Sequence, residues 1–177
     1  VLYTCASSRG VILEVVPDGA SKNFIYSARK FISRRGCPEK ILSDNGTVFT
    51  SQETQNFALE RNINWKFSLS NAPWYGGFWE RLVAIVKRCL KKTVGKAQLN
   101  FYELQVVITE IELIVNSRPL SQLYDDDIDE ILTPNHLLFG RKLYQANPFV
   151  HTLDDEDNVN ICKRVNYLDS VIEHFWN

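Results

Sequence analysis

The sequence predicts an α/β fold, because segments of strand character alternate with segments of helix character along the chain. Their order is strand, strand, helix, strand, helix, strand, followed by longer helices. No internal repeat or low-complexity tract interrupts this order. With 177 residues and 45% hydrophobic content, the chain can bury a sizeable core, so we expect one domain with an appendage.

Two short β-rich runs, residues 1–5 and 11–16, open the chain, and the polar loop between them has the length of a hairpin connection. A Pro-Asp-Gly turn ends the second run. Ser21 is the expected N-cap of a helix over residues 22–35, in which apolar positions recur at the spacing of one buried stripe. Gly36 ends this helix.

The middle of the chain continues the alternation. Residues 40–43 predict a short strand bounded by turn residues, and a helix is expected near residues 52–61. Residues 63–67 alternate apolar and polar side chains, which is typical of a strand with one buried face. Residues 68–77 hold Ser, Asn, Pro and two Gly, and predict a mobile loop that leads into a helix from about 78 to 94.

A further helix is expected over residues 101–116. Its apolar residues recur at helical spacing and predict one packed side. Three acids, Glu103, Glu110 and Glu112, fall outside that pattern and should therefore face solvent.

Cysteine usage and hydropathy favour a soluble intracellular protein. Four cysteines lie far apart, without a CxxC motif or a histidine at zinc spacing, which indicates reduced thiols. Of these, Cys89 falls on the apolar side of the predicted 78–94 helix and is expected in the core. No run of about 18 apolar residues and no signal-peptide pattern is present in the sequence.

Charge is divided unevenly, although the net charge is only −1. Residues 1–100 carry 15 Lys and Arg against 7 Asp and Glu, whereas residues 101–177 carry 5 against 14. A basic first part suits a polyanionic partner such as nucleic acid. Two ordinary solvated faces would produce the same imbalance, so the charge alone leaves both interpretations open.

Two acids at the ends of predicted elements are the main candidates for chemistry. Asp44 follows the 40–43 strand within Ser-Asp-Asn-Gly, and Glu80 begins the next long helix, 36 positions later. Both stand beside glycines, where a substrate can approach the backbone closely. Together they could hold a divalent metal ion. Considered separately, Asp44 is also explained as a turn residue and Glu80 as an acid that complements the helix dipole.

The helix that begins near Glu80 presents a line of charged residues. At 100° per residue, Glu80, Lys87 and Lys91 lie within roughly 40° of each other, opposite the apolar side. A metal site that continues into a line of lysines suits a phosphate backbone. A surface helix with acids at its start and bases at its end is the alternative.

Several of these segments resemble the catalytic core of retroviral-type integrases. They are residues 43–49, the 63–67 strand, residues 72–80 and Lys87. The 35 residues between the two acids match the spacing between that family's second and third catalytic acids. Later segments, residues 116–120 and 132–141, look like those that follow the core in BEL/Pao-type LTR retrotransposons. The resemblance divides the chain into a core, 1–120, and an acidic connector, 121–177.

The resemblance implies an RNase H-like fold, a mixed sheet flanked by helices, that binds two Mg²⁺ or Mn²⁺ ions. Asp44 would be the second catalytic acid and Glu80 the third, in 3′ processing and strand transfer of element DNA. The DNA-binding residues it implies are Asn71, Trp74, Tyr75, Gly76, Gly77, Lys87, Arg88, Lys91 and Lys92. The implied partners are element ends, target DNA and further copies of the chain, without a membrane. The implied location is the nucleus, reached through the cytoplasm.

The first acid of the family pattern is not among these residues. The resemblance places it on a central strand that precedes Val1, so this chain as given is expected to leave strand edges unpaired and to be inactive. Neither Glu14, expected on an exposed strand, nor Asp18, expected in a turn, matches the motif. A non-catalytic nucleic-acid-binding or protein-interaction module derived from an integrase is therefore the alternative function. An RNase H-like nuclease fits the fold but not the 74–80 and 132–141 segments.

Overall fold

The computed structural model describes residues 1–68, 73–95, 97–120, 131–141 and 143, without the side chains of 73–76 and 78. Within these residues the elements follow the predicted order. They are β1 (Leu2–Thr4), β2 (Val11–Leu13), α1 (Ser21–Arg35), β3 (Lys40–Ser43), α2 (Thr47–Thr50), α3 (Gln52–Glu60), β4 (Asn64–Phe67), α4 (Pro73–Val94), α5 (Phe101–Asn116) and α6 (Pro134–Phe139). The α/β class is confirmed. No described helix combines the length and apolar character needed to cross a membrane.

The strands form two separate pairs. β1 and β2 make an antiparallel hairpin with Leu2 opposite Leu13, and β3 runs parallel to β4 with Lys40 opposite Asn64. No strand hydrogen bonds join the two pairs among the described residues. By backbone contacts the chain divides into a first unit, Val1 with residues 14–82, and a second unit, residues 2–13 with those from 83 onward.

An aromatic cluster forms the core of the first unit. The Phe24 side chain of α1 is 4% exposed and meets Phe49 of α2 edge-on, with ring centroids 5.1 Å apart. Trp65 of β4 lies 6.0 Å from Phe24 and donates its Nε1–H to Ser43 Oγ at 2.9 Å. These contacts attach α1 and α2 to the inner face of the β3–β4 pair. Two parallel strands alone would not form a stable structure.

The start of α1 differs from the prediction. The N-cap position is Ala20, without a side-chain cap, and Ser21 is already helical. Asp18 supplies the missing acceptor, because its Oδ1 takes hydrogen bonds from Ala20 N–H at 2.8 Å and from Asn23 Nδ2 at 2.7 Å. The hydrogen bond from the Ala20 N–H is the larger cause, and that from Asn23 the smaller, of a pKa of Asp18 below its ordinary value. The predicted turn acid therefore also orders the entry to the helix.

Glu14 is buried, so its prediction as an exposed strand residue was wrong. Its side chain is 8% exposed and is neutralised by two cations of α1: Arg34 Nη1 at 2.8 Å and Lys30 Nζ at 3.6 Å. Burying a carboxylate requires such partners. The pairing joins the residue after β2 to α1 within the first unit.

In the second unit, side chains of α5 take the place of a strand beside β2. Asn116 is 2% exposed, and its Oδ1 accepts the Val11 N–H at 2.8 Å while its Nδ2 donates to the Val11 C=O at 2.7 Å. Glu112 Oε2 accepts the Leu13 N–H at 2.8 Å, and Arg118 Nη2 donates to Arg9 O at 2.6 Å. Three backbone groups on the edge of β2 that faces away from β1 therefore have side-chain partners: the N–H and C=O of Val11 and the N–H of Leu13.

The acids of α5 were predicted outside, and that prediction is wrong: Glu103 is buried, and Glu110 and Glu112 are half-buried. Glu103 is buried because it forms a reciprocal capping box with Asn100 at the helix start. Glu112 is half-buried because it accepts the Leu13 N–H. Both have backbone partners that the helical pattern does not reveal.

α4 begins five residues earlier than predicted, at Pro73 rather than near residue 78. Proline is favoured in the first turn of a helix, where its missing N–H has no intrahelical partner. Gly76 and Gly77 therefore lie inside the helix, at a cost of about 1 kcal/mol each relative to alanine. The predicted loop over residues 68–77 is therefore wrong for residues 73–77, which are helical.

Replacing Asn116 with alanine should lower the free energy of unfolding by roughly 2–5 kcal/mol, because two buried backbone groups of Val11 lose their partner. Urea unfolding followed by circular dichroism measures the change. The control Thr109→Ala, on the exposed side of the same helix, should change stability by about 0.5 kcal/mol at most. Equal effects of the two substitutions would contradict the edge-covering role of Asn116.

Candidate functional site

Asp44 lies where the chain leaves the parallel β3–β4 pair. It directly follows β3, is exposed, and its Oδ1 accepts the Gly46 N–H at 3.0 Å. Next to it, Asn45 Nδ2 donates to Ser68 O, one residue beyond the end of β4, at 3.1 Å. Both strands therefore end together beside Asp44. The carboxyl ends of parallel strands are the usual place for ligands in α/β sheets.

The turn after Asp44 is tightly packed around position 46. A Cβ added to Gly46 would lie 3.0 Å from Asp44 Oδ1 and 3.3 Å from Phe49 Cδ2. The backbone at Gly46 has φ −56°, which any residue adopts, so the constraint is steric. Phe49 in turn packs on Phe24 and Trp65. Position 46 therefore lies between the Asp44 carboxylate and the aromatic core of the first unit.

Glu80 lies on α4 and belongs to the same unit as Asp44. Its side chain is exposed, and the residue before it, Trp79, is half-buried. No hydrogen bond or ion pair between described side chains engages either carboxylate. Both acids are therefore exposed oxygen donors. Asp44 stands at the end of β3, as predicted, but Glu80 lies inside α4, seven residues after Pro73, so the prediction that it begins the helix was wrong.

The donor chemistry suits a hard divalent cation. Carboxylate oxygens are the ligands that Mg²⁺ and Mn²⁺ prefer, and one oxygen of Asp44 is already oriented by Gly46. Within the described ranges, no three His, Cys, Asp or Glu side chains form a group that could hold a metal ion. Asp44 and Glu80 are the residues that would hold such an ion.

The four cations predicted on α4 all lie exposed: Lys87, Arg88, Lys91 and Lys92. The opposite side of the helix is buried through Leu82, Val86 and Cys89, and burial raises the pKa of the Cys89 thiol. Cys89 is therefore a core residue, as predicted. The two lysines at positions 91 and 92 also complement the negative end of the helix dipole.

The structure describes the other predicted DNA-binding residues only in part. Asn71 lies outside the described residues. Trp74, Tyr75 and Gly76 belong to the first turns of α4, and nothing is described of their side-chain environment. Gly77 is exposed and helical rather than part of a loop. The DNA contacts of all these residues stay a prediction.

Cys5 has a feature that the sequence pattern did not reveal. Burial raises the pKa of its thiol, but hydrogen bonds with Ser7 and Ser8 outweigh burial and lower the pKa to about 7. Its Sγ lies 3.2 Å from Ser7 Oγ in the hairpin loop. The thiol is exposed, so it is accessible to reagents.

The alkylation rate of Cys5 by iodoacetamide should rise with pH through a midpoint near 7, because the thiolate is the nucleophile. Peptide mass spectrometry after timed labelling measures the rate. In Ser7→Ala the midpoint should move to higher pH, since a hydrogen bond that stabilises the thiolate is removed. An unmoved midpoint in that variant would assign the lowered pKa to another cause.

Comparison with known proteins finds integrases and the polyproteins of retroviruses. No protein-family model matches the chain. Its sequence is 32% identical over 103 residues to the Pro-Pol polyprotein of feline foamy virus, an alignment that covers 58% of this chain. The chain spans only 8% of that polyprotein.

Solved integrase structures share the fold. The simian T-cell lymphotropic virus intasome, in complex with a PP2A regulatory subunit, aligns with a TM-score of 0.63 at 22% identity, over 83% of this chain and 51% of the other. The HTLV-2 integrase catalytic core domain, in complex with magnesium in a trimeric form, aligns with a TM-score of 0.58 at 23% identity, over 77% and 82%. The chain therefore has the RNase H-like fold of integrase catalytic cores, as predicted, and is homologous to retroviral Pol polyproteins.

Proposed function

We propose that this chain is the catalytic-core region of a DNA integrase, a polynucleotidyl transferase that joins element DNA to target DNA. The observation that carries the proposal is the position of Asp44. Its exposed carboxylate stands at the carboxyl end of a parallel strand pair and is oriented by the Gly46 N–H. The integrase-core fold and the exposed Glu80 on α4 support the same assignment.

In the proposed reaction Asp44 and Glu80 bind Mg²⁺ or Mn²⁺ through their carboxylate oxygens. A pair of such ions, when bound, activates the attacking oxygen and stabilises the leaving oxygen of an in-line displacement at phosphorus. The chain itself orients the carboxylate ligand. The Gly46 N–H holds one oxygen of Asp44 in place and leaves the other for a cation. The neighbouring HTLV-2 core, solved with magnesium, supports this choice of ion.

The exposed cations of α4 provide the proposed DNA-binding surface. Lys87 and Lys91 follow Glu80 along one face of the helix, so a phosphate backbone that passes the metal site would meet them next. We further propose that the protein acts as a homo-oligomer on element ends and target DNA in the nucleus, after transit through the cytoplasm. The intasome and the trimeric core among its structural neighbours support an assembly. The segments at 116–120 and 132–141 support a BEL/Pao-type element as its source.

A non-catalytic nucleic-acid-binding or protein-interaction module is the second candidate. It is favoured by one observation: the exposed cations of α4 can pair with phosphate groups without a bound metal ion. Such a module would retain the cations of α4 without performing strand transfer. The two functions differ in catalysis, so an activity assay separates them.

In a strand-transfer assay with Mn²⁺, the 177-residue chain should form no product, because two carboxylates do not complete the two-metal site. Gel analysis of labelled oligonucleotides measures the product. The same chain extended by an upstream strand that carries an aspartate should be active. In that extended chain, Asp44→Asn or Glu80→Gln should abolish activity, whereas the exposed control Glu53→Gln should not. Product from the unextended chain would refute the three-acid account, and an inactive extended chain would favour the non-catalytic module.

Lys87→Ala combined with Lys91→Ala should weaken duplex DNA binding and reduce the slope of log affinity against log salt by about 2, since two phosphate contacts are lost. Fluorescence anisotropy across a salt series measures both quantities. The matched control is Lys40→Ala with Lys66→Ala, which removes two exposed lysines from the β3–β4 pair. If the α4 variant binds as the unmodified chain does, α4 is not the DNA-binding surface.

A further inference from the structure

The exposed face of α1 carries a row of residues that the proposed site does not use. We call Lys22, Tyr26 and Arg29 the α1 stripe, because their spacing of four and three residues places them within about 60° on the helix. All three are exposed, and the Tyr26 side chain is 49% exposed. The buried residues of α1, Phe24, Ser27 and Ala28, lie on the other side of the helix. The α1 stripe is therefore a surface feature and not part of the core.

The charge of α1 is of one sign. The helix contains five Lys and Arg and no Asp or Glu. Lys30 and Arg34 are neutralised by Glu14. In the described part of the chain no carboxylate lies within ion-pair distance of Lys22 or Arg29, and the nearby Asp18 bonds to Ala20 and Asn23 instead. The α1 stripe thus carries two positive charges without a described counter-charge.

Helix stability does not account for these charges. Lys22 stands in the first turn, where the helix dipole disfavours a cation, and that turn contains no acid. Its Nζ lies 5.9 Å from the centroid of the Tyr26 ring, which holds the ammonium over an aromatic face. A cation kept at the positive end of a helix, beside an exposed aromatic ring, suits an anionic partner.

We propose that the α1 stripe binds the phosphate backbone of DNA, as a second contact surface besides α4. The stripe spans about 10 Å from Lys22 to Arg29, the rise of seven helical residues, which corresponds to about three phosphates of one strand. Lys22 and Arg29 pair with phosphates, and Tyr26 positions Lys22 between them. This inference rests on the proposed function for its partner, and it adds a surface within the first unit.

A nucleic acid fits the stripe better than a lipid surface does. A helix that lies on a membrane buries a broad apolar side in the bilayer, but the only ring or aliphatic side chain in the α1 stripe is Tyr26, and its neighbour Ser33 is polar. The apolar side of α1 is already used by the core of the first unit. The stripe therefore presents charge rather than hydrophobic area.

The test uses the 177-residue chain with a labelled DNA duplex in fluorescence anisotropy over a salt series. Lys22→Gln with Arg29→Gln should weaken binding and reduce the salt slope by about 2. Lys40→Gln with Lys66→Gln removes the same charge from the exposed face of the β3–β4 pair and should leave the slope unchanged. Thermal unfolding should be the same for the three proteins, because none of the four residues is buried.

Three results would overturn the proposal. The first is an unchanged affinity and salt slope in the α1 variant. The second is an equal loss in the Lys40 and Lys66 variant, which would assign the effect to net charge. The third is DNA binding retained while binding to vesicles of anionic phospholipid, or self-association by size-exclusion chromatography, is lost.

The α4 variant separates this inference from the proposed function. If Lys87→Ala with Lys91→Ala weakens binding and the α1 variant does not, only the α1 stripe is refuted. If the α1 variant weakens binding and the α4 variant does not, the α1 stripe is supported and the α4 surface is refuted. If the unmodified chain does not bind DNA, both proposals fail.

Discussion

The paired hydrogen bonds between Asn116 and the backbone of Val11 are the interaction on which the second unit depends. A two-stranded hairpin of three residues per strand is unstable alone, because each strand leaves a row of backbone groups without partners. Here side chains of α5 bond to three groups of that row on β2, and Asn116 supplies both a donor and an acceptor, as a neighbouring strand would. The hydrophobic side chains of α5 can then pack against a hairpin that is held in position.

The first unit is organised differently, and its organisation determines where the chemistry lies. Its core is a set of aromatic contacts that attach α1 and α2 to the β3–β4 pair. The same Phe49 that packs on Phe24 also lies 3.3 Å from the place that a Cβ at position 46 would occupy, next to Asp44. The catalytic candidate therefore stands beside the edge of the aromatic core.

Local pattern predicted the elements well and the environment of charged residues poorly. Periodicity located α1, α3, α5 and the four strands to within a few residues, because each has one buried face. It placed Glu14 and Glu112 outside, since their partners, the cations of α1 and the backbone of Leu13, are respectively 16 or more and 99 residues away. The start of α4 was predicted too late because Gly76 and Gly77 have low helix propensity. Helix propensity is a weak predictor where tertiary contacts stabilise the helix. Asp44 and Glu80 were selected by their spacing and by the turn residues beside Asp44, and their catalytic roles stay a prediction.

Because α5 covers the outer edge of β2, the hairpin can accept a further strand at one edge only. Ladder hydrogen bonds at Val1, Cys5 and their partners turn the backbone groups of Leu2 and Thr4 away from β2. With the far side of β2 closed by side chains, a further strand can join the hairpin only along β1. Growth of this sheet is therefore one-sided: whatever strand extends it, from the same polypeptide or from another, must arrive beside Leu2 and Thr4.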